Sequence, residues 1–172
     1  DVFHSLFNPR SVAVIGASEN PLKMGHQCLL SLSGGAFPGP IYPIHPRAKE
    51  ILGMRAYAGL SDVPGEVDLV ILAIPASEVI PALQSCRAKG VRGAVIITAG
   101  FREIEDPQGE QLQKDMALVA SRGGIKIIGP NTFGLVNVHA RLKPEPISLV
   151  GQSGGVSHII AYQAINEGVG LS

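Results

Sequence analysis

Short apolar runs recur along the chain at 12–15, 41–44, 69–74, 94–97 and 125–128. Runs of this length with little polar alternation predict strands covered on both faces, as in a parallel sheet. Between them the apolar period lengthens. Val79, Ile80, Leu83 and Cys86 share one face of a helix, and Leu112, Met116, Val119 and Ala120 share another. Strands alternating with helices imply a parallel sheet with helices packed over it. Right-handed crossovers then make an α/β, Rossmann-like doubly wound sheet the most economical topology. The chain contains no internal repeat or low-complexity stretch that would favour another architecture.

Gly and Pro occupy 21 and 13 of the 172 positions, and several stand where the predicted strands end: Gly16, Pro43, Pro46, Pro75, Gly100, Gly129 and Pro130. Ligands of open α/β sheets bind at this carboxyl edge. Every strand must also turn there, so a turn residue by itself does not mark a site. After Asn137 the pattern changes. Residues 140–146 read as a polar, Pro-containing linker, and 147–150 start another strand, followed by a Gly-rich turn and a helix-like stretch to Glu167. The expected organisation is a first domain over 1–139, a linker over 140–146, and over 147–172 the first strand and helix of a second α/β domain. That last unit cannot bury a core of its own, so the protein is expected to continue beyond it.

Charge narrows the function. Lys+Arg and Asp+Glu balance at 14 each, which argues against a nucleic-acid or anionic-membrane footprint. No apolar run reaches the roughly 18 residues of a membrane span, and residues 1–10 lack the basic and apolar segments of a secretory signal. A cytoplasmic location is therefore expected. Cys28 and Cys86 sit in apolar, helix-like segments, which predicts small buried hydrophobes rather than a disulfide or metal pair.

Candidate chemistry begins where the first strand runs into Gly16, Ala17, Ser18, Glu19 and Asn20. Asn20 followed by Pro21 has the form of a helix N-cap and first helical residue. The N–H groups of such a helix start, with its positive dipole end, suit a phosphate. Lys23 either adds a cation to that site or stays solvated. Gly16 and Gly25 have eight residues between them, so neither the dinucleotide fingerprint nor a P-loop is present. A NAD-binding sheet usually ends its second strand in an acid that holds the ribose 2′-hydroxyl. Here the strand ends Tyr42-Pro-Ile-His-Pro-Arg47, with a guanidinium and no acid. That suits a phosphorylated ribose, as in NADP or coenzyme A.

The ordered series Asn8-Pro-Arg-Ser-Val-Ala-Val-Ile-Gly-Ala-Ser18, Tyr42-Pro-Ile-His-Pro46, Val67-Asp-Leu-Val-Ile-Leu-Ala-Ile-Pro-Ala76, Ile97-Thr-Ala-Gly-Phe101 with Glu103, Gly129-Pro-Asn131 and Gly151-Gln-Ser-Gly-Gly155 covers nearly the whole chain. It closely resembles the nucleoside-diphosphate-forming acyl-CoA synthetases, in the ADP-forming acetyl-CoA synthetase branch related to the succinyl-CoA synthetase α subunit. The resemblance implies a CoA-binding Rossmann domain followed by a flavodoxin-like domain, with a phosphorylated histidine beyond this chain. In such enzymes acyl phosphate and CoA exchange with acyl-CoA and phosphate, and the phosphohistidine passes its phosphoryl group to ADP. The implied partners are an ATP-grasp domain or β subunit that binds ATP or ADP with Mg, in an oligomeric assembly.

Carried onto this sequence, the resemblance makes Gly16, Ala17, Ser18, Glu19, Asn20, Lys23 and Met24 the CoA-binding loop, and Arg47 a contact near the nucleotide phosphate. Pro75 and Ala76 line the coenzyme site, Thr98, Ala99 and Gly100 run beside the pantetheine arm, and Asn131 lies near the reacting thioester. The succinyl branch tends to carry an acid where Ala99 stands. Ser153, Gly154 and Gly155 match a helix start that cradles the phosphohistidine's phosphate. His4, His26, His45, His139 and His158 fall in none of the matching places and are expected as surface or capping residues, so no catalytic residue is expected within the chain. Two other readings stay open: an NADP-dependent oxidoreductase, and a non-catalytic CoA-sensing domain fused to a protein acetyltransferase.

Overall fold

A computed structural model describes residues 4–34 and 37–132, all within one compact unit spanning 1–132. The linker and second-domain expectations for 140–172, the boundary at 139, and Ser153, Gly154 and Gly155 lie outside the described residues. In chain order the elements are α1 (His4–Phe7), β1 (Val12–Ile15), α2 (Met24–Gly34), β2 (Ile41–Ile44), β3 (Glu50–Ile51), β4 (Met54–Arg55), β5 (Leu69–Leu72), α3 (Ala76–Lys89), β6 (Gly93–Ile96), α4 (Pro107–Gly123) and β7 (Lys126–Ile128).

Five strands form a parallel sheet in the order β2-β1-β5-β6-β7, while β3 and β4 make a small antiparallel hairpin. The strands are apolar in both registers because both faces are covered. Ala13, Val70, Leu72, Ala94 and Ile96 pack with Val79, Leu83 and Cys86 of α3 and Met116 of α4. On the opposite face Val14 packs with Leu29 of α2 and Ile51 of β3, and Val12, Leu69 and Val95 pack with Leu6 of α1. This is the doubly wound Rossmann-like sheet that the apolar pattern predicts.

Outside β2, where a longer sheet of this kind has a further strand, only one of the described residues pairs. Tyr57 bridges Ile44 in parallel, its N–H donating to the Pro43 carbonyl at 3.0 Å and its carbonyl accepting from His45 N at 2.9 Å. The Tyr57 ring meets Tyr42 edge-on, with centroids 5.9 Å apart, and carries the Arg55 guanidinium 5.2 Å above it. The aromatic pair thus covers the sheet edge that a full strand would have occupied.

One expectation is corrected. The helix anticipated from Asn20 and Pro21 begins at Met24. The Asn20 side chain accepts from Leu22 N at 2.9 Å and its carbonyl from Lys23 N at 3.0 Å, which closes a separate turn. The first helical bonds run from His26 and Gln27 N to the Lys23 carbonyl. Lys23 therefore holds the cap position. Cys86 is buried in the core and Cys28 half-buried. Burial pushes the Cys28 thiol up to about 11 and that of Cys86 up to about 12, as expected for packing residues. Among the described residues no helix is long and apolar enough to cross a membrane.

Candidate functional site

β1 and β5 are neighbours in the sheet although β2 lies between them in sequence, so the winding reverses direction between these two strands. Crevices at such reversals are where open α/β sheets take ligands. Two glycines let the backbone close in there. Gly16 turns out of β1 with φ +91°, and a Cβ on it would strike the Ala73 carbonyl and come within 2.9 Å of Ile74 Cγ2. A Cβ on Gly25 would fall on the Gly16 carbonyl and lie 3.1 Å from Ala17 Cα. These are the tight-turn and close helix-packing duties of the dinucleotide fingerprint, fulfilled across a longer loop.

That loop is held on every side. Ala17 is buried. The Ser18 hydroxyl accepts from Asn20 N at 3.1 Å. His26, only 7% exposed, sets its Nδ1 2.9 Å from the Ser18 carbonyl, so that nitrogen carries the proton and donates. The Glu19 carboxylate accepts from Leu52 N at 2.7 Å, tying the loop to the β3–β4 turn. Lys23 and Met24 are exposed at the loop's end.

At the end of β2, His45 Nδ1 accepts from Arg47 N at 3.2 Å and from Ala48 N at 2.9 Å. This bend leaves Arg47 exposed. Among the described residues neither its guanidinium nor the Lys23 ammonium has a hydrogen-bond or ion-pair partner. Lys23 follows β1 and Arg47 follows β2, which are neighbours in the sheet.

Farther along the edge, Pro75 caps α3 and Ala76 begins it. The Thr98 hydroxyl donates to the Ile74 carbonyl at 2.7 Å, and the Thr98 carbonyl accepts from Asn131 N at 2.9 Å. Thr98 therefore joins the exits of β5, β6 and β7. Ala99 is exposed beside it, and Gly100 adopts φ +103° with its Cβ position 3.2 Å from that of Ala76. Asn131 is exposed after the cis Gly129–Pro130 bond. Beyond these exits opens a cleft of about 540 Å³ lined by Arg102, Glu103, Gln113, Gly129, Pro130 and Asn131. A separate depression of about 260 Å³, lined by Arg102, Glu105, Asp106, Pro107 and Glu110, lies on the α4 side and brings no candidate residue with it.

Every candidate residue within the described part thus lies along one edge of the sheet. Arg47 and Asn131 mark its two ends. Four inter-strand steps of about 4.8 Å separate β2 from β7, roughly 19 Å in all. A compact metabolite cannot touch both ends, whereas an elongated one can.

Sequence reasoning gave no site role to three supports. Gly25 stands at the second position of α2, where glycine costs helix stability, and that cost is the signal for a close contact. His26, expected as a surface or capping residue, is instead buried, because α2 lies over the loop and brings its ring onto the Ser18 carbonyl. Glu103 does leave a local trace in its spacing from Gly100 and Phe101, whose N–H groups it accepts.

The CoA binding domain family matches residues 10–138. The α subunit of acetate–CoA ligase [ADP-forming] II from Pyrococcus furiosus is 40% identical over 174 residues, covering 96% of this chain and 38% of that one. The acetate–CoA ligase [ADP-forming] of Methanocaldococcus jannaschii is 41% identical over 157 residues, covering 91% and 22%. Among solved structures, one from Pyrococcus horikoshii OT3 matches with a TM-score of 0.87 at 36% identity, covering 100% of this chain and 41% of that one. The dinucleotide forming acetyl-coenzyme A synthetase 1 of Ca. Korarchaeum cryptofilum, in complex with phosphate and ADP, matches with a TM-score of 0.86 at 34% identity, covering 99% and 38%. The chain spans well under half the length of these relatives.

Proposed function

The chain belongs to the CoA binding domain family, and from that premise we propose that its carboxyl sheet edge holds coenzyme A, or its acyl thioester, on behalf of an ADP-forming acyl-CoA synthetase. The observation that carries this reading is the linear layout of the edge. Two cations without partners among the described residues stand at its β1–β2 end, β2 ends without an acid, and the candidate residues from β5 to β7, Pro75, Ala76, Thr98, Ala99, Gly100 and Asn131, carry no charge. A ligand with phosphates at one end and a long neutral arm fits that layout.

In this reading Arg47 meets the 3′-phosphate, and Lys23 with the 17–20 loop faces the pyrophosphate. Pro75 and Ala76 flank the middle of the ligand. Thr98, Ala99 and Gly100 lie beside the pantetheine arm, and Asn131 stands near its thiol end. In the full protein the thiolate displaces phosphate from an acyl phosphate, giving acyl-CoA and inorganic phosphate. In the opposite direction inorganic phosphate displaces CoA from the thioester, and the resulting acyl phosphate gives its phosphoryl group through a histidine outside this chain to ADP, bound with Mg elsewhere, releasing the free acid. An ATP-grasp domain or β subunit supplies the nucleotide site. The naming of the Pyrococcus furiosus relative as an α subunit supports such a partner.

Isothermal titration tests the reading. CoA should bind, and binding should weaken about tenfold for 3′-dephospho-CoA or for Arg47→Ala, the loss of one charge-assisted phosphate contact. Arg47→Ala should not discriminate further against the dephospho ligand. Tight NADPH binding without CoA binding would overturn the proposal in favour of an oxidoreductase.

A further inference from the structure

We propose that Glu103 is a positioning residue: its carboxylate, folded back onto the backbone, holds segment 98–100 in the shape against which the ligand's long arm lies. This rests on the coenzyme reading of the edge. Thr98 is fixed by neighbouring strand exits, through its hydroxyl to Ile74 and its carbonyl from Asn131. Phe101, fully buried, is fixed from the other side. A Cβ on Gly109 would fall on the Phe101 carbonyl, so the first turns of α4 press directly on that residue.

Between these anchors Ala99 is exposed and Gly100 half-buried in a left-handed conformation, so packing alone does not set their course. Their remaining constraint is Glu103. Its Oε1 accepts from Gly100 N at 2.6 Å and from Phe101 N at 3.2 Å, and Oε2 also lies 3.2 Å from Phe101 N. The ladder has ended by this point, so no neighbouring strand takes these two donors, and an N–H without a partner is costly. Slight burial pushes the carboxyl pKa up, but the N–H groups of Gly100, Glu103 and Phe101 outweigh it and hold the group below its ordinary value. The side chain is therefore ionised at neutral pH and its bonds are charge-assisted. Glu103 also lines the cleft beside Asn131, next to the end of the edge assigned to the thiol.

Two ligands separate positioning from general stability. CoA carries the arm, and 3′,5′-ADP carries the nucleotide and phosphates without it. Calorimetric titration of the 172-residue chain should show Glu103→Ala weakening CoA about tenfold, the effect of one lost, well-placed hydrogen bond. It should leave 3′,5′-ADP within about twofold of the parent on the same scale. Glu103→Gln keeps an oxygen that accepts from the same N–H groups and should restore most of the CoA affinity. Equal losses for both ligands, unchanged CoA binding in Glu103→Ala, or a loss that glutamine does not relieve would each overturn the proposal. A parent chain that binds no CoA would overturn the coenzyme reading itself, and this proposal with it.

Discussion

Gly25→Ala puts one methyl group at the second residue of α2, where opposing effects can be weighed. In an open helix the change stabilises by about 1 kcal/mol, because alanine is the better helix former. Here the new Cβ falls on the Gly16 carbonyl and lies 3.1 Å from Ala17 Cα, both backbone atoms with no flexible end to swing aside. Ordinary carbon contacts need about 3.5–4.0 Å, so α2 must retreat by about 1 Å or more. The retreat pulls Leu29 from its buried contacts with Val14, Ala17 and Ile51. Overpacking of this kind costs about 1–3 kcal/mol even after relaxation. Because the clashing atoms are backbone, the cost lies at the upper end, about 2–3 kcal/mol, and the resulting net loss of about 1–2 kcal/mol should lower Tm by roughly 2–8 °C for a chain of this size. The Ser18 to Asn20 loop moves with the helix through His26, so CoA affinity should fall with stability. Gly34→Ala, in the last residue of the same helix with no atom within 4 Å of the new Cβ, is the control and should hold or raise Tm. Calorimetry and CoA titration on both variants decide the matter. Gly25→Ala with the parent's Tm and CoA affinity would refute the close-packing argument.

Three further outcomes are expected. Ser11 is buried at the opposite edge of the sheet, donating to the Glu66 carbonyl at 2.9 Å and accepting from Asp68 N at 3.0 Å. Ser11→Ala should cost about 1–3 kcal/mol in denaturant titration while leaving CoA affinity unchanged; an affinity loss would contradict the separation of the two edges. The folded state holds the Glu103 carboxyl below its ordinary 4.5, so its stabilisation is present above that value and fades as pH falls through the lowered one. A Tm difference between parent and Glu103→Gln that grew on acidification would contradict this sign. Because Lys23 and Arg47 are exposed, salt should screen their attraction for phosphates, with a Debye length of about 10 Å at 0.1 M and about 3 Å at 1 M. CoA affinity should drop severalfold over that range and the double variant Lys23→Ala/Arg47→Ala should flatten the dependence; an affinity insensitive to salt would point to a neutral backbone cradle instead.

What could be read from sequence divides along the range of the forces involved. The five strands of the parallel sheet were legible to within a residue or two, because burial on both faces demands continuous apolar runs and leaves little freedom in where they stop, whereas the two-residue strands β3 and β4 left no run to read. The strand that a longer sheet would place outside β2 was not legible either, since it has shrunk to Tyr57, and one bridge leaves no run to detect. Arg47 was legible as a cation at a strand end. The His45 ring that bends the backbone beneath it was expected only as a surface or capping residue, because its two acceptor contacts appear only after the chain turns.

The loop after β1 shows why the remainder resisted reading. Asn20-Pro21 is a sound local helix start, and the Asn20 side chain does cap a turn. Where the helix itself begins is set by a distant requirement: α2 must cross β1 closely enough for Gly25 to touch Gly16. The turn over 20–23 takes up the slack, and it separates the two glycines beyond the spacing that the dinucleotide fingerprint prescribes. Motif spacing records one solution to the packing problem, whereas the packing problem asks only for a small residue where the strand turns and another where the helix crosses. The longer solution also moves chemistry from backbone to side chain. A tight fingerprint aims bare helix N–H groups at a phosphate. Here the start of α2 is pressed against the Gly16 carbonyl, and the groups left facing outward are the Lys23 ammonium and, from the next strand, the Arg47 guanidinium. On the coenzyme reading proposed above, such a loop meets phosphate through exposed side-chain charge, and single substitutions at those two positions should change its ligand preference.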